Sequence, residues 1–266
     1  MHREFRLDRK LAGLFRPEPF AKLDPVACFV FNRAEKSPLS HSMIFQLLFL
    51  ANLVFWPGNS HFAKHYQGTP YHDDRHRGQA QKIPGTVECA YYDFGGEGIA
   101  YHDVDAKNNG SGSLNPADGT YLNQFRMSEG VDTSYTKFHD QIDDNPYNRV
   151  QPPENQLYVG WTEPGEWFNI TVQVAHSGSY TADLLYTSNR GGSISIEVNG
   201  RAPSPPSEIA STYDARDPIA WRQWHHWNIQ REAVTLRLPK GRSVLTIRIL
   251  TQGNMNLAYF DFKPAR

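Results

Sequence analysis

The stretch Phe168-Asn169-Ile170-Thr171-Val172-Gln173-Val174 decides the fold. Apolar side chains stand at 168, 170, 172 and 174, and polar ones between them. Successive side chains of an extended strand point to opposite faces, so this alternation gives one buried face and one wetted face. The same rhythm recurs at Tyr180, Ala182, Leu184 and Tyr186, and at Ile194, Ile196 and Val198. It returns at Val234, Leu236 and Leu238, and again at Leu245, Ile247 and Ile249. Turn-forming residues separate the runs: His176-Ser177-Gly178, Arg190-Gly191-Gly192, Asn199-Gly200 and Pro239-Lys240-Gly241. Short strands at this spacing, with no helical period and no βαβ unit between them, predict an all-β fold. Its form is an antiparallel β-sandwich or jelly roll.

Outward from this region the pattern weakens. The β-rich part begins near Pro84-Gly85, and the sandwich is expected over 83–266. Within it, 105–156 is dominated by Asn, Asp, Gly, Ser and Pro, and only Tyr121–Met127 reads as a strand. A loop of that length is functional or disordered. Residues 61–82 are polar and rich in His, Gly, Gln and Arg, a composition unable to bury a core, which predicts a linker or an extended lead-in. Before it, Ile44 to Trp56 is an apolar run broken only by Gln46 and Asn52. This run is shorter than the roughly 20 residues that cross a bilayer. It has the length of a signal-peptide core, and Pro57-Gly58-Asn59-Ser60 offers small residues for cleavage. Segment 43–60 is therefore expected to be an export signal, with a buried helix or a membrane anchor as alternatives. Residues 1–42 form an N-terminal extension without a clear period, and the N-terminal part as a whole is expected to be poorly structured. Export implies a secreted or cell-surface, bacterial protein.

Net charge is −1, from 27 basic and 28 acidic side chains. A nucleic-acid binder needs a basic surface to displace counterions, so that class is disfavoured. No stable membrane span and no obligate oligomer is expected. The two cysteines, Cys28 and Cys89, cannot form a disulfide framework or a paired metal motif, and Cys89 reads as a buried thiol. No P-loop, dinucleotide fingerprint, nucleophile elbow or zinc-protease motif is present. His225-His226 and His102-x-x-Asp105 are too short to claim a metal centre. Glu163 and Glu166 are the carboxylate pair a glycosidase or polysaccharide lyase would need, but a Pro-Gly turn lies between them. Six tryptophans are unevenly placed, three of them at 221, 224 and 227. An indole has a flat apolar face and little conformational freedom to lose, so such clustering marks a candidate binding surface.

Several segments in order resemble one family. Ile83-Pro84-Gly85-Thr86-Val87-Glu88-Cys89-Ala90-Tyr91-Tyr92-Asp93 and Phe94 to Asp103 look like the opening strands of family 6 carbohydrate-binding modules. Tyr158-Val159-Gly160-Trp161-Thr162-Glu163-Pro164-Gly165-Glu166-Trp167, Trp224-His225-His226-Trp227, Leu238-Pro239-Lys240-Gly241 and Asn256 to Phe262 continue the resemblance. It implies a jelly roll without a catalytic centre of its own, binding a plant- or algal-type oligo- or polysaccharide in a loop cleft, alone or attached to a glycoside hydrolase. It further implies that two aromatic rings hold a sugar, Trp161 and Trp224, with Trp221 as the alternative to Trp224. Asn256 is implied as the hydrogen-bonding amide. Tyr101, with His102 and Asp103, is expected to flank the cleft, while Trp167 and Trp227 are structural. An adhesion module using the same sandwich for protein contact is a third possibility. The family's structural calcium would fall to Glu88 and Asp261, but the family's second acidic position is Ala90 here.

The physical logic of the cleft is independent of the resemblance. A pyranose has apolar C–H faces and a polar hydroxyl rim. An indole covers the first, and amides or carboxylates satisfy the second.

Overall fold

A computed structural model describes residues 62, 65–77, 79–201 and 203–266. The extension 1–42 and the apolar segment 43–60 lie outside the described residues. Two sheets make up the fold. The first holds β1 (Gln81–Ile83), β3 (Tyr101–His102), β6 (Trp167–Val174), β8 (Gly192–Val198), β9 (Ser207–Ile209) and β11 (Gly241–Thr251). Its order is β1-β6-β11-β8-β9, with β3 also on β6. The second holds β2 (Gly85–Glu88), β4 (Thr133–Tyr135), β5 (Leu157–Val159), β7 (Gly178–Ser188), β10 (Asn228–Leu238) and β12 (Met255–Pro264). Its order is β10-β7-β12-β5-β4, with β2 also on β12. Every pairing is antiparallel except β1 on β6. The fold is the all-β sandwich that the alternation predicts.

The alternating residues face each other between the sheets. Ile170 and Val172 of β6, Leu184 and Tyr186 of β7, Ile194 and Ile196 of β8, and Leu245 and Ile247 of β11 share one buried cluster with Phe260 and Phe262 of β12. Each buried side chain of this size contributes roughly 1.5–3 kcal/mol by leaving water. Cys89 is also in this core, and burial pushes its thiol up, so it is unreactive. A smaller cluster covers the outer side of the second sheet: Tyr158 of β5, Leu185 of β7 and Ala258 of β12 lie under Trp227. This second layer, outside the sandwich proper, positions the candidate site.

Two expectations are corrected here. The polar stretch before β1 is not a linker over its described part. Thr69 pairs with Phe94 through two backbone hydrogen bonds, of 2.9 and 2.8 Å. Tyr71 is buried among Tyr91, Phe94 and Phe125. Asp73 accepts hydrogen bonds from the hydroxyls of Tyr71 and Tyr121, 2.7 Å each. Burial opposes its charge, yet these bonds and those from His76 hold its carboxyl well below the usual range. Composition misled because a few well-placed aromatic rings suffice to dock a polar segment. Second, Tyr121–Met127 is a run of turns, not a strand. Tyr121 and Phe125, four residues apart, meet edge-on at 5.5 Å and pack together toward Tyr71, a helical-turn spacing rather than an alternating one.

The long 105–156 segment is packed. It supplies β4, and its Asn108, Thr133, Thr136, Asp143 and Asn145 are buried and hydrogen-bonded. Arg126 secures it against the chain before β3. Its guanidinium donates to the carbonyls of Tyr92 and Asp93, pairs with Glu129, and lies 3.4 Å over the Tyr92 ring.

Candidate functional site

The site grows from the end of β5. Gly160 follows Val159, and a Cβ at that position would stand 2.8 Å from the Asn256 side-chain oxygen, so glycine permits a close approach. Trp161 then takes a left-handed backbone conformation, φ +49°. For a non-glycine residue this costs roughly 1–2 kcal/mol. The Trp161 N–H donates to Asn256 Oδ1 at 3.3 Å, and Thr162 bonds Met255 through backbone and hydroxyl, which offsets the strain. The turn throws the Trp161 indole out beyond the sheet, partly exposed.

From Trp161 a row of rings runs across this end. Tyr158 lies 6.4 Å from Trp161, and His225 lies 6.1 Å from Tyr158. His225 in turn lies 6.4 Å from Trp221 and 5.6 Å, edge-on, from Trp224. Tyr158 and His225 are buried, and Trp224 is half-buried. Trp221 is 51% exposed, which makes it the freer of the two candidate partner rings. An apolar ring left in water beside a second partly exposed indole marks a recognition surface better than it marks a core.

Under the row lies a polar support. Asn256 is fully buried, with Nδ2 2.9 Å from both Thr187 Oγ1 and His225 Nδ1. His225 Nε2 is 2.7 Å from Asp143 Oδ1, which also accepts from Trp227 Nε1 at 2.6 Å. The other Asp143 oxygen accepts from the Lys137 N–H at 2.7 Å. Burial works against the Asp143 charge, but the bonds from His225 and Trp227 hold its carboxyl below the usual range. A parallel triad, Asp217 with Arg222 and His226, fixes the 220–227 turn from the other side.

Beside Trp161 opens a cavity of about 290 Å³, lined by Asp105, Asn109, Leu114, Asp132, Trp161, Glu163 and Glu166. Burial, then neighbouring carboxylates, raise three acids in and near it: Asp132 to about 6, Asp103 to about 7 and Glu166 to about 8. Glu166 accepts from the backbone N–H of Glu163 and of Val104, so it spans two loops. An acid whose folded pKa is raised releases its proton later than in the unfolded chain, so its contribution is complete below about pH 4 and is lost as pH climbs through 6 to 8. The melting temperature should therefore fall between about pH 5 and pH 9. Glu166→Gln should flatten that slope, as scanning calorimetry across the series would register. An unchanged slope in the variant would deny Glu166 this part.

Of the residues singled out by sequence, Trp161, Trp221, Trp224 and Asn256 come together at this end. Asn256, however, faces protein and not the surface, because all its amide atoms are engaged beneath the rings. Tyr101 does not join them. It is 6% exposed in the core, its hydroxyl accepts from the Gly130 N–H at 3.2 Å, and its ring packs edge-on against Tyr92. As the inward residue of β3 it points between the sheets, while His102 points out and meets Glu97 at 2.5 Å. Trp227 is fully buried, a structural residue as its neighbours require, and Trp167 lies under the Arg248 guanidinium on the first sheet.

Glu88 and Asp261 do not fit a calcium. They are diagonal neighbours on one face of paired strands, Asp261 opposite Thr86 and Glu88 opposite Tyr259, but each is already engaged. The Gln156 amide donates to Glu88, and the Lys263 ammonium sits 3.1 Å from Asp261, a poor setting for a hard cation. Among the described residues no group of three His, Cys, Asp or Glu is gathered for a metal. Sequence reasoning quoted Tyr158 and His225 without giving them a part in the cleft, and it passed over Asp143. The first two stood beside quoted tryptophans. Asp143 lay in the polar segment, where no local pattern distinguishes it.

The model of the carbohydrate binding module (family 6) matches residues 137–264. This stretch is a family 6 carbohydrate-binding segment. The family 6 segment contains Asp143, Trp161, Trp221, Trp224, His225 and Asn256, hence the whole ring row and its support. Similar solved structures include CsCBM6-3 from Clostridium stercorarium in complex with cellobiose, at 8% identity and TM-score 0.41, covering 71% of this chain and 99% of that one. A family 35 carbohydrate binding module from Clostridium thermocellum is 22% identical at TM-score 0.33, covering 44% and 84%. The module CBM6cm-2 from Cellvibrio mixtus lichenase 5A in complex with cellotriose is 19% identical at TM-score 0.36, covering 52% and 88%. No curated protein matches the chain. Among the described residues no helix is long and apolar enough to cross a membrane.

Proposed function

We propose that the chain binds a neutral oligo- or polysaccharide of plant or algal type, without transforming it, across the ring row that runs from Trp161 to Trp221. The observation that carries this reading is the exposed Trp221 standing two buried rings, His225 and Tyr158, away from the partly exposed Trp161, inside the family 6 segment. The two indoles supply apolar faces for sugar C–H patches, and the carboxylates and Asn109 beside Trp161 supply hydroxyl partners. Glu166 is engaged with two backbone amides, which suits a loop brace better than a proton donor. The same carboxylates repel anionic sugars. A uronate brought beside an ionised carboxylate is disfavoured by roughly 1 kcal/mol at 4 Å in water and more as water is excluded. We place the protein outside the cell, as a monomer, either free or as the targeting part of a hydrolase.

Affinity electrophoresis of the full chain tests this. Soluble xylan, β-glucan, agarose or mannan should retard it above pH 8, and polygalacturonate should not. Preference for the uronate polymer would refute the electrostatic part. Retardation by none of the neutral polymers would refute the whole reading. A reducing-sugar assay on the same panel should show no release of ends.

A further inference from the structure

We infer that Asp143, His225 and Asn256 are positioning residues, a single buried relay that sets Trp161 in place, so that sugar affinity follows the protonation of His225 although none of the three touches the ligand. This rests on reading Trp161 as a sugar platform.

The relay has a fixed direction. The Asp143 carboxylate only accepts, so the proton of neutral His225 sits on Nε2, which donates across 2.7 Å. Nδ1 is then the acceptor, and Asn256 Nδ2 donates to it across 2.9 Å. At its other end the amide is oriented independently, because the Trp161 N–H donates to Oδ1 at 3.3 Å. The amide cannot turn over, since that would set its NH2 group against the Trp161 N–H. A second proton on His225 would face the Asn256 NH2 with another N–H. Two donors at hydrogen-bond distance repel, and both residues are buried.

A shift of the Asn256 amide away from that proton loosens the bond it accepts from the Trp161 N–H, which holds Trp161 at positive φ. Around His225 stand Asp143 from the 136–156 segment, Tyr158 from β5, Asn256 from β12, and the indoles of Trp221, Trp224 and Trp227. Of these only Asp143 and Tyr158 titrate. Burial pushes the Tyr158 hydroxyl far up, and Asp143 remains the acceptor throughout.

The test is a pH series on the full chain from about pH 8 to about pH 5. Calorimetry would follow affinity for the polysaccharide that retards the protein, and NMR would follow the His225 ring and the Trp161 amide. Affinity should weaken about fivefold to tenfold as His225 gains its proton, the worth of one lost buried hydrogen bond, and the Trp161 amide should shift with the same midpoint. Asn256→Asp supplies the discriminating variant. Its carboxylate accepts from both Trp161 N–H and protonated His225, so its affinity should hold or rise on acidification.

A Trp161 amide indifferent to the His225 titration, a His225 that stays neutral throughout, or an Asn256→Asp profile with the native slope would each overturn the relay. If Asn256→Asp does not fold, the Trp161 amide of the unaltered chain decides. If no polysaccharide binds, the proposed function fails, while the same amide still reports on the relay.

Discussion

Trp161→Ala should weaken polysaccharide binding by several-fold to about a hundredfold, since one lost stacking face is worth roughly 1–3 kcal/mol. Melting should move by no more than about 3 °C, the shift that roughly 1 kcal/mol makes in a domain of this size. The asymmetry comes from where the ring sits. The Trp161 backbone is anchored by Asn256 and Met255, but its indole is thrown outward and only partly covered. Removing the ring therefore leaves the anchoring bonds in place. Calorimetric titration and a thermal melt on the same preparation separate the two effects. A variant that loses its fold, or that binds as before, would show that Trp161 belongs to the packing and not to the cleft.

Asp143→Ala should do the reverse. It strips the acceptor from three buried donors at once: Trp227 Nε1, His225 Nε2 and the Lys137 N–H. Leaving buried donors without partners costs about 1–3 kcal/mol each, so a loss of at least roughly 3 kcal/mol is expected from the three. That corresponds to a melting point lowered by about 10 °C or more. Binding should fall with it even in the molecules that remain folded, because Trp227 and His225 lie under the ring row. Asp143→Asn keeps one acceptor oxygen and should lose less. Equal melting points for Asp143→Ala and the native chain would show that the polar segment carrying Asp143 does not hold the second layer together.

These two residues also show how far the sequence could be read. Ile170, Val172, Leu184, Ile196 and Ile247 announced the sandwich because a strand with one buried face must alternate, and that constraint is local. Trp161 was legible for a similar reason, as an aromatic residue set between a glycine and a Pro-Gly turn. Asp143 was not. Its burial depends on Trp227 and His225, more than eighty positions away, and no short-range pattern encodes that meeting. The same holds for Tyr71, whose polar surroundings hid a docking ring, and for Tyr101, whose place in a motif suggested a cleft while its strand parity put it inside. Asn256 falls between. Its proximity to Trp161 was foreseeable, but whether it faced the ligand or the protein depended on Thr187 and His225.

The bond between Trp161 and Asn256 ties together positions 95 residues apart, and the row from Trp161 to Trp221 draws on β5 and the 220–227 turn. Recognition here therefore has no local folding unit. No hairpin or fragment contains it, and it comes into being only when the last strand, β12, has closed against β5 and β7. A ligand that selects this arrangement selects the entire folded state, so by mass action occupancy raises the stability of the whole sandwich and not of one loop.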